Sequence, residues 1–219
     1  MRGKHVTDGL ALPLLLALPG LLLSPLAESL IHAWLPRLGG LPSPRVRITT
    51  AAVTALLFGL LAWRFGFSAE LPAFLFLALC GVQLSRIDFT LHLLPNPLVL
   101  LLLGGGVGLL ATAATLAPAW SELLRALAGG AILFAGYLIL GLFSPGSIGM
   151  GDVKLAAPLG LYLGYLGWAQ VLYGGLLGFV VGGLLTVLML RLRRGEKPRE
   201  TAHGPAMVIA ALAVAVVMV

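Results

Sequence analysis

Two aspartates stand out in an otherwise apolar chain: Asp88 in "RIDFTLHLLPNPL" and Asp152 in "SIGMGDVKLAAPLG". Carboxylates embedded in membrane-scale apolar sequence are costly and usually face a protein interior or a water-filled cavity, so each is a candidate for function. Two facing carboxylates can share one proton, because like charges a few ångströms apart do not ionise together comfortably. The ionised member then takes a proton from water while the protonated member donates to a carbonyl oxygen. That is peptide-bond hydrolysis with no metal and no covalent intermediate. Such a pair titrates jointly, so neither aspartate is assigned the acid or the base role. Each also has a plain structural reading. Asp152, opening an apolar segment, suits a helix N-cap, and Asp88 lies two residues after Arg86, a ready ion-pair partner at a membrane surface.

The elements that must position these groups are membrane helices. The chain has 219 residues, of which 59% are hydrophobic and 10% charged, against about 25% charged in soluble domains. A hydrocarbon core about 30 Å thick needs roughly 20 apolar residues per helix. On that ruler the sequence divides into spans near 9–34, 49–66, 71–88, 97–118, 123–143, 153–167, 169–190 and 204–219. The expectation is an all-α polytopic bundle of about eight transmembrane helices, forming one integral-membrane domain over residues 1–219. The stretches 36–50 and 191–204 are then cytoplasmic loops, and no separate soluble domain is expected. The apolar run after the basic start continues to Trp34 without a small-residue cleavage pattern, so it reads as a retained span rather than a signal peptide, kinked at Pro13, Pro19 and Pro25.

Lysine and arginine fall unevenly between the alternating loops, ten on one side against four on the other. The positive-inside rule puts the richer side in the cytoplasm and both termini outside. Asp88 ends the third span and Asp152 opens the sixth, so both reach the cytoplasmic face. The formal charge of +6 is explained by this topology, and no nucleic-acid partner is expected.

The residues around the aspartates carry a family resemblance. Gly149-Met150-Gly151-Asp152-Val153-Lys154-Leu155 resembles the GxGDxKL motif of type IV prepilin peptidases, the GxGD class of intramembrane aspartyl peptidases. Asp88, seven positions before Pro95-Asn96, resembles the family's first motif, in which an aspartate is followed at this interval by Leu-Pro and Asp or Asn. Many members have a second acidic residue two positions on, where this chain has Thr90, so Asp88 is the motif's sole carboxylate. The segment "HGPAMVIAALA" is similar to the family's terminal FGP stretch, with His203 in the aromatic position, and the first span shares its Leu35-Pro36 end with the family's N-terminal helix.

This resemblance implies an endopeptidase of the bacterial inner membrane that removes the basic leader of prepilins or pseudopilins at the cytoplasmic face. Asp88 and Asp152 would be its catalytic pair, supported by Gly149, Gly151, Lys154, Pro95 and Asn96. Many relatives carry a cysteine-bearing cytoplasmic domain between the first two spans that accompanies N-methylation. The corresponding stretch here has no cysteine, so no methyltransferase activity and no cofactor are expected. The rival reading is a small proton- or ion-coupled transporter using the same carboxylates. It favours inverted repeats and broken midplane helices.

Other residues carry less. Glu28 and His32 are spaced i, i+4 on the first span and can face one another, as a satisfied polar contact or a proton relay. His92 invites a metal or general-base reading but lacks further ligands at suitable spacing. Cys80, the single cysteine, supports neither a disulfide nor a thiolate metal site within the chain. The glycines of "LLLGGGVGLL" suit close helix packing, and Trp34, Trp63, Trp120 and Trp168 suit interfacial anchoring.

Overall fold

The computed structural model describes residues 4–143, 149–192 and 203–218. The described residues form eight α-helices and one 3-10 turn: α1 (Lys4–Trp34), the turn Pro36–Leu38, α2 (Pro44–Phe65), α3 (Leu71–Leu91), α4 (Asn96–Leu116), α5 (Trp120–Phe143), α6 (Met150–Leu166), α7 (Trp168–Leu192) and α8 (Gly204–Val217). Proline opens α2, α3, α4 and α8 at one of the first two helical positions, where its missing N–H has no intrahelical partner to lose. Gly66 closes α2 at φ 57°, a left-handed conformation that a side chain disfavours. All three prolines of the first span lie inside an unbroken α1.

Each expected span corresponds to a helix, but not every helix is long enough to cross a bilayer unaided. Five meet that length and apolarity: Ala11–Trp34 within α1, and α2 to α5. The apolar helix Gly204–Val217 is shorter, and α6 has 17 residues including Asp152 and Lys154. About eight transmembrane helices is therefore a slightly high count for an eight-helix bundle. The stretch 36–50 is also shorter as a loop than expected, because α2 begins at Pro44 and takes Arg45 and Arg47 into its first turn. Residues 193–202, most of the basic 191–204 run, lie outside the described residues.

The neighbours α1 and α2, α5 and α6, and α7 and α8 pack as pairs, while α8 also contacts both α3 and α6. Burial follows this arrangement. α6 and α8 are buried on most sides, whereas Leu14, Leu18 and Leu22 of α1 and Leu172, Leu176 and Val180 of α7 face outward. The closest helix approach is between α5 and α6. A β-carbon on Gly129 would lie 2.7 Å from the Gly160 carbonyl oxygen, and one on Gly164 would lie 2.8 Å from the Arg125 carbonyl oxygen. Small residues four apart thus let two backbones touch. The glycines of "LLLGGGVGLL" serve differently: Gly105 receives the Phe76 ring and Gly106 the Tyr162 ring. The four tryptophans all occupy helix-terminal turns and are more than half exposed, as interfacial anchors should be.

Candidate active site

Asp88 lies in the last turn of α3, which ends three residues later at Leu91. The stop is His92, in the left-handed region at φ 50° and ψ 44°, the one positive-φ residue other than glycine among the described residues. Its backbone N–H and its Nδ1 both bond the Asp88 carbonyl oxygen, at 2.9 and 3.1 Å. A carbonyl only accepts, so Nδ1 carries the proton. His92 therefore acts as a helix cap, and the metal and general-base readings gain no support from this geometry.

Pro95 is the N-cap of α4, and its carbonyl accepts bonds from the Leu98 and Val99 amides. The short connection between α3 and α4 turns Leu94 inward to a buried position. There Leu94 meets the start of α6 and the start of α8. A β-carbon on Gly151 would sit 3.1 Å from Leu94 Cβ, and one on Gly204 would sit 3.2 Å from Leu94 Cδ1 and 2.9 Å from Asp88 Oδ2. Glycine at both positions is what lets three helix ends converge.

Asp152 is the third residue of α6, and Gly149 is the N-cap. The Gly149 carbonyl accepts the amides of Asp152 and Val153, at 3.0 and 3.2 Å, and the Asp152 carboxylate reaches back to the Gly149 amide. This is the acidic half of a capping box. Asp152 does contribute to the helix start, but from inside the first turn rather than from the N-cap. Both aspartates are buried, at 5% and 8% exposure, and they are close enough to interact electrostatically.

Lys154 and Asn96, one from each motif, are joined by a hydrogen bond in which the ammonium donates to Oδ1 at 3.0 Å. The two sequence motifs are thus tied across the α4–α6 contact. Arg86 is not the partner of Asp88, since its Nε donates to Gln83 Oε1 at 3.1 Å on another face of α3. The Gly204 amide lies against the Asp88 carboxylate, yet Asp88 Oδ2 is buried with no hydrogen-bond partner among the described residues. An unsatisfied buried oxygen costs free energy that an ordinary structural carboxylate avoids.

Sequence reasoning missed the residues that wall this site. Tyr137 of α5 lies within electrostatic range of Asp152 and stacks on Phe179 of α7 at 5.0 Å between ring centroids, beside His203, already marked by its motif, at 5.4 Å from Phe179. Leu94 and Tyr137 sit within apolar runs and give no local signal. The described residues hold no group of three or more His, Cys, Asp or Glu suited to a metal, and Cys80 is free and partly buried.

Glu28 sits apart from this site and is satisfied. Thr50 Oγ donates to its Oε1 at 2.5 Å and Arg47 Nε to its Oε2 at 3.2 Å. His32 is not its partner, because His32 Nδ1 bonds the Gly39 carbonyl at 3.0 Å. Nearby, Gln83 Nε2 donates to Ser24 Oγ at 3.1 Å, linking α3 to α1. A glutamine inside the apolar run of the third span was the available clue to that link.

Comparison with known proteins agrees with the motifs. Residues 73–187, a stretch holding both aspartates, match the type IV leader peptidase family. The chain is 37% identical over 159 residues to a prepilin leader peptidase/N-methyltransferase of Pseudomonas aeruginosa, covering 72% of this chain and 53% of that protein. It is 31% identical over 159 residues to the protein so named in Neisseria gonorrhoeae, covering 72% and 52%. For the one in Bacillus subtilis it is 31% over 147 residues, covering 66% and 56%. The chain thus spans about half the length of the curated relatives it matches. No solved structure matches. With the family match extending over more than half of its residues, this chain belongs to the type IV leader peptidase family.

Proposed function

We propose that this protein is an intramembrane aspartyl endopeptidase that cleaves the basic leader from type IV prepilins or pseudopilins at the cytoplasmic face, with Asp88 and Asp152 as its catalytic pair. The observation that carries this reading is their convergence. Two motif carboxylates from α3 and α6 are buried together at one end of the bundle, and one oxygen of Asp88 lacks a hydrogen-bond partner among the described residues. In the reaction, the ionised carboxylate accepts a proton from water as the water oxygen attacks the scissile carbonyl carbon. The protonated carboxyl donates to the carbonyl oxygen. Collapse of the tetrahedral adduct breaks the C–N bond, with a proton passing to the leaving amine.

The cytoplasmic placement rests on charge. The end of the bundle that holds both aspartates also holds Arg37, Arg45 and Arg47 at the α1–α2 connection, as the positive-inside rule asks. We extend the proposal to peptidase activity without N-methylation, since the connection between α1 and α2 is short and has no cysteine. The transporter reading expects broken helices at mid-membrane. Both aspartates instead occupy terminal turns of unbroken helices.

The test is to incubate the membrane-embedded protein with a prepilin bearing its basic leader and follow its shortening, alongside Asp88→Asn and Asp152→Asn. Cleavage by the wild type and loss in both variants is the expected result. Normal cleavage by both variants, or no cleavage of any prepilin or pseudopilin by the wild type, overturns it.

A further inference from the structure

A cavity of about 280 Å³ opens beside the α3 end, between α1, the 36–43 connection and the first turn of α2. Its wall includes Ile87, Thr90 and Leu91, from the turn of α3 that carries Asp88, but not Asp88 itself. That volume is at or below the lower limit for drug-sized ligands, so it suits a small group rather than several peptide residues.

The charges in and around the cavity select the sign of its ligand. Glu28 is the acidic group in the lining, and it is already engaged by Arg47 and Thr50. Arg86 is the other fully charged lining residue. Its Nε is used on Gln83, and its terminal Nη groups make no hydrogen bond to another described residue. The Ser43 hydroxyl, also in the lining, makes no capping bond. Arg86 also lies in the field of Glu28, so one carboxylate faces two guanidinium groups, Arg47 and Arg86, and the cluster keeps one net positive charge beside the Ser43 hydroxyl. This arrangement suits a singly charged oxyanion, which a guanidinium can hold with two parallel N–H donors.

Position narrows the anion further. The cavity lies where α1 ends at Trp34 and α2 begins, the level at which phospholipid phosphates meet a bilayer-spanning protein. Its polar groups are accompanied by Ile31, Leu38 and Val46, which an amphiphile can cover. We propose that this cavity binds a phosphate group through Arg86, its source being the phosphodiester headgroup of an anionic phospholipid. The phosphodiester's single negative charge matches the one net positive charge of the Glu28, Arg47 and Arg86 cluster.

The experiment uses the full chain in detergent micelles, with dihexanoyl phosphatidylglycerol and inorganic phosphate as separate probes in titration calorimetry. The expected result is saturable lipid binding that weakens about tenfold or more in Arg86→Gln, the loss of a charge-assisted bond. Gly40→Leu should weaken it similarly. Gly40 lines the cavity, and a β-carbon there meets nothing within 4 Å, so this variant fills the space without disturbing a helix. Arg64→Gln, at the opposite end of α2, should bind as the wild type does. Arg86-dependent binding of inorganic phosphate without the lipid keeps the phosphate site and assigns it to a free anion. No saturable binding of either probe, or wild-type binding by Gly40→Leu and by any folded Arg86→Gln, overturns the proposal.

Discussion

Two buried acidic centres at the same end of this bundle are built in opposite ways. Glu28, at 1% exposure, has both oxygens engaged, one by Thr50 and one by Arg47, so its charge is compensated where it stands. Asp88, at 5% exposure, has an oxygen without a partner among the described residues and a second carboxylate for a neighbour. A satisfied carboxylate joins helices. An under-satisfied pair keeps lone pairs and a shared proton available for a reacting group. Burial alone does not distinguish the two centres, and it is the partner set that separates structure from chemistry.

The largest effect that can break this contrast is on turnover. Asp88→Asn and Asp152→Asn should each lower prepilin cleavage by about 10³-fold or more while thermal unfolding in micelles changes little, because the amide is isosteric. Retained cleavage in either would move that aspartate into the structural class. Next comes Glu28→Gln, which leaves Arg47 facing a neutral amide. Arg47 is about a third exposed, so solvent screens the charge left behind and the loss is about 1 kcal/mol. The midpoint of unfolding should fall slightly while cleavage per folded molecule stays near the wild-type value. If the reverse is observed, with stability unchanged and activity lost, Glu28 belongs with the aspartates.

Gly204→Ala sharpens the comparison from the packing side. Its β-carbon would approach Asp88 Oδ2 to 2.9 Å, so the carboxylate must shift. Misplacement of about 1 Å can cost about 10²-fold in rate, read as a fall in kcat of the purified protein. The smallest effect is expected from Lys154→Met, which removes the hydrogen bond to Asn96. A single such bond is worth about 1 kcal/mol, and because Lys154 and Asn96 are exposed the expected change is a few-fold in activity. Asn96→Ala should have the same effect, and the double variant should be no worse than either single one. Additive losses would show that the two residues act separately.

Much of the site was legible from residue type and spacing. Asp88 and Asp152 stood out because a charge in apolar sequence is expensive, and the spacing to Pro95-Asn96 and the glycines around Asp152 marked turns at helix ends. Which of the structural alternatives held depended on partners. The plain structural alternative for Asp152 was an N-cap, whereas Gly149 holds that position, because a three-residue shift in a helix start leaves no mark on composition. The Glu28–His32 pair was plausible by helical spacing, yet α2 offered Glu28 an arginine and a hydroxyl, and His32 turned to the Gly39 carbonyl. Arg86 likewise left Asp88 for Gln83.

The sequence by itself determined the helical membrane class, the approximate positions of the helices and which two carboxylates are proposed to react, since these follow from hydropathy, breakers and the cost of charge in an apolar run. Only the tertiary structure decided which groups meet. Leu94 wedged between Gly151 and Gly204, Lys154 bonded to Asn96, Tyr137 stacked on Phe179 and the cavity beside α3 that Arg86 lines all depend on how the helices pack. The physical reason is that local sequence sets which face of a helix is apolar, whereas the partner of a buried polar atom is set by whichever neighbouring helix packs close enough to supply a donor.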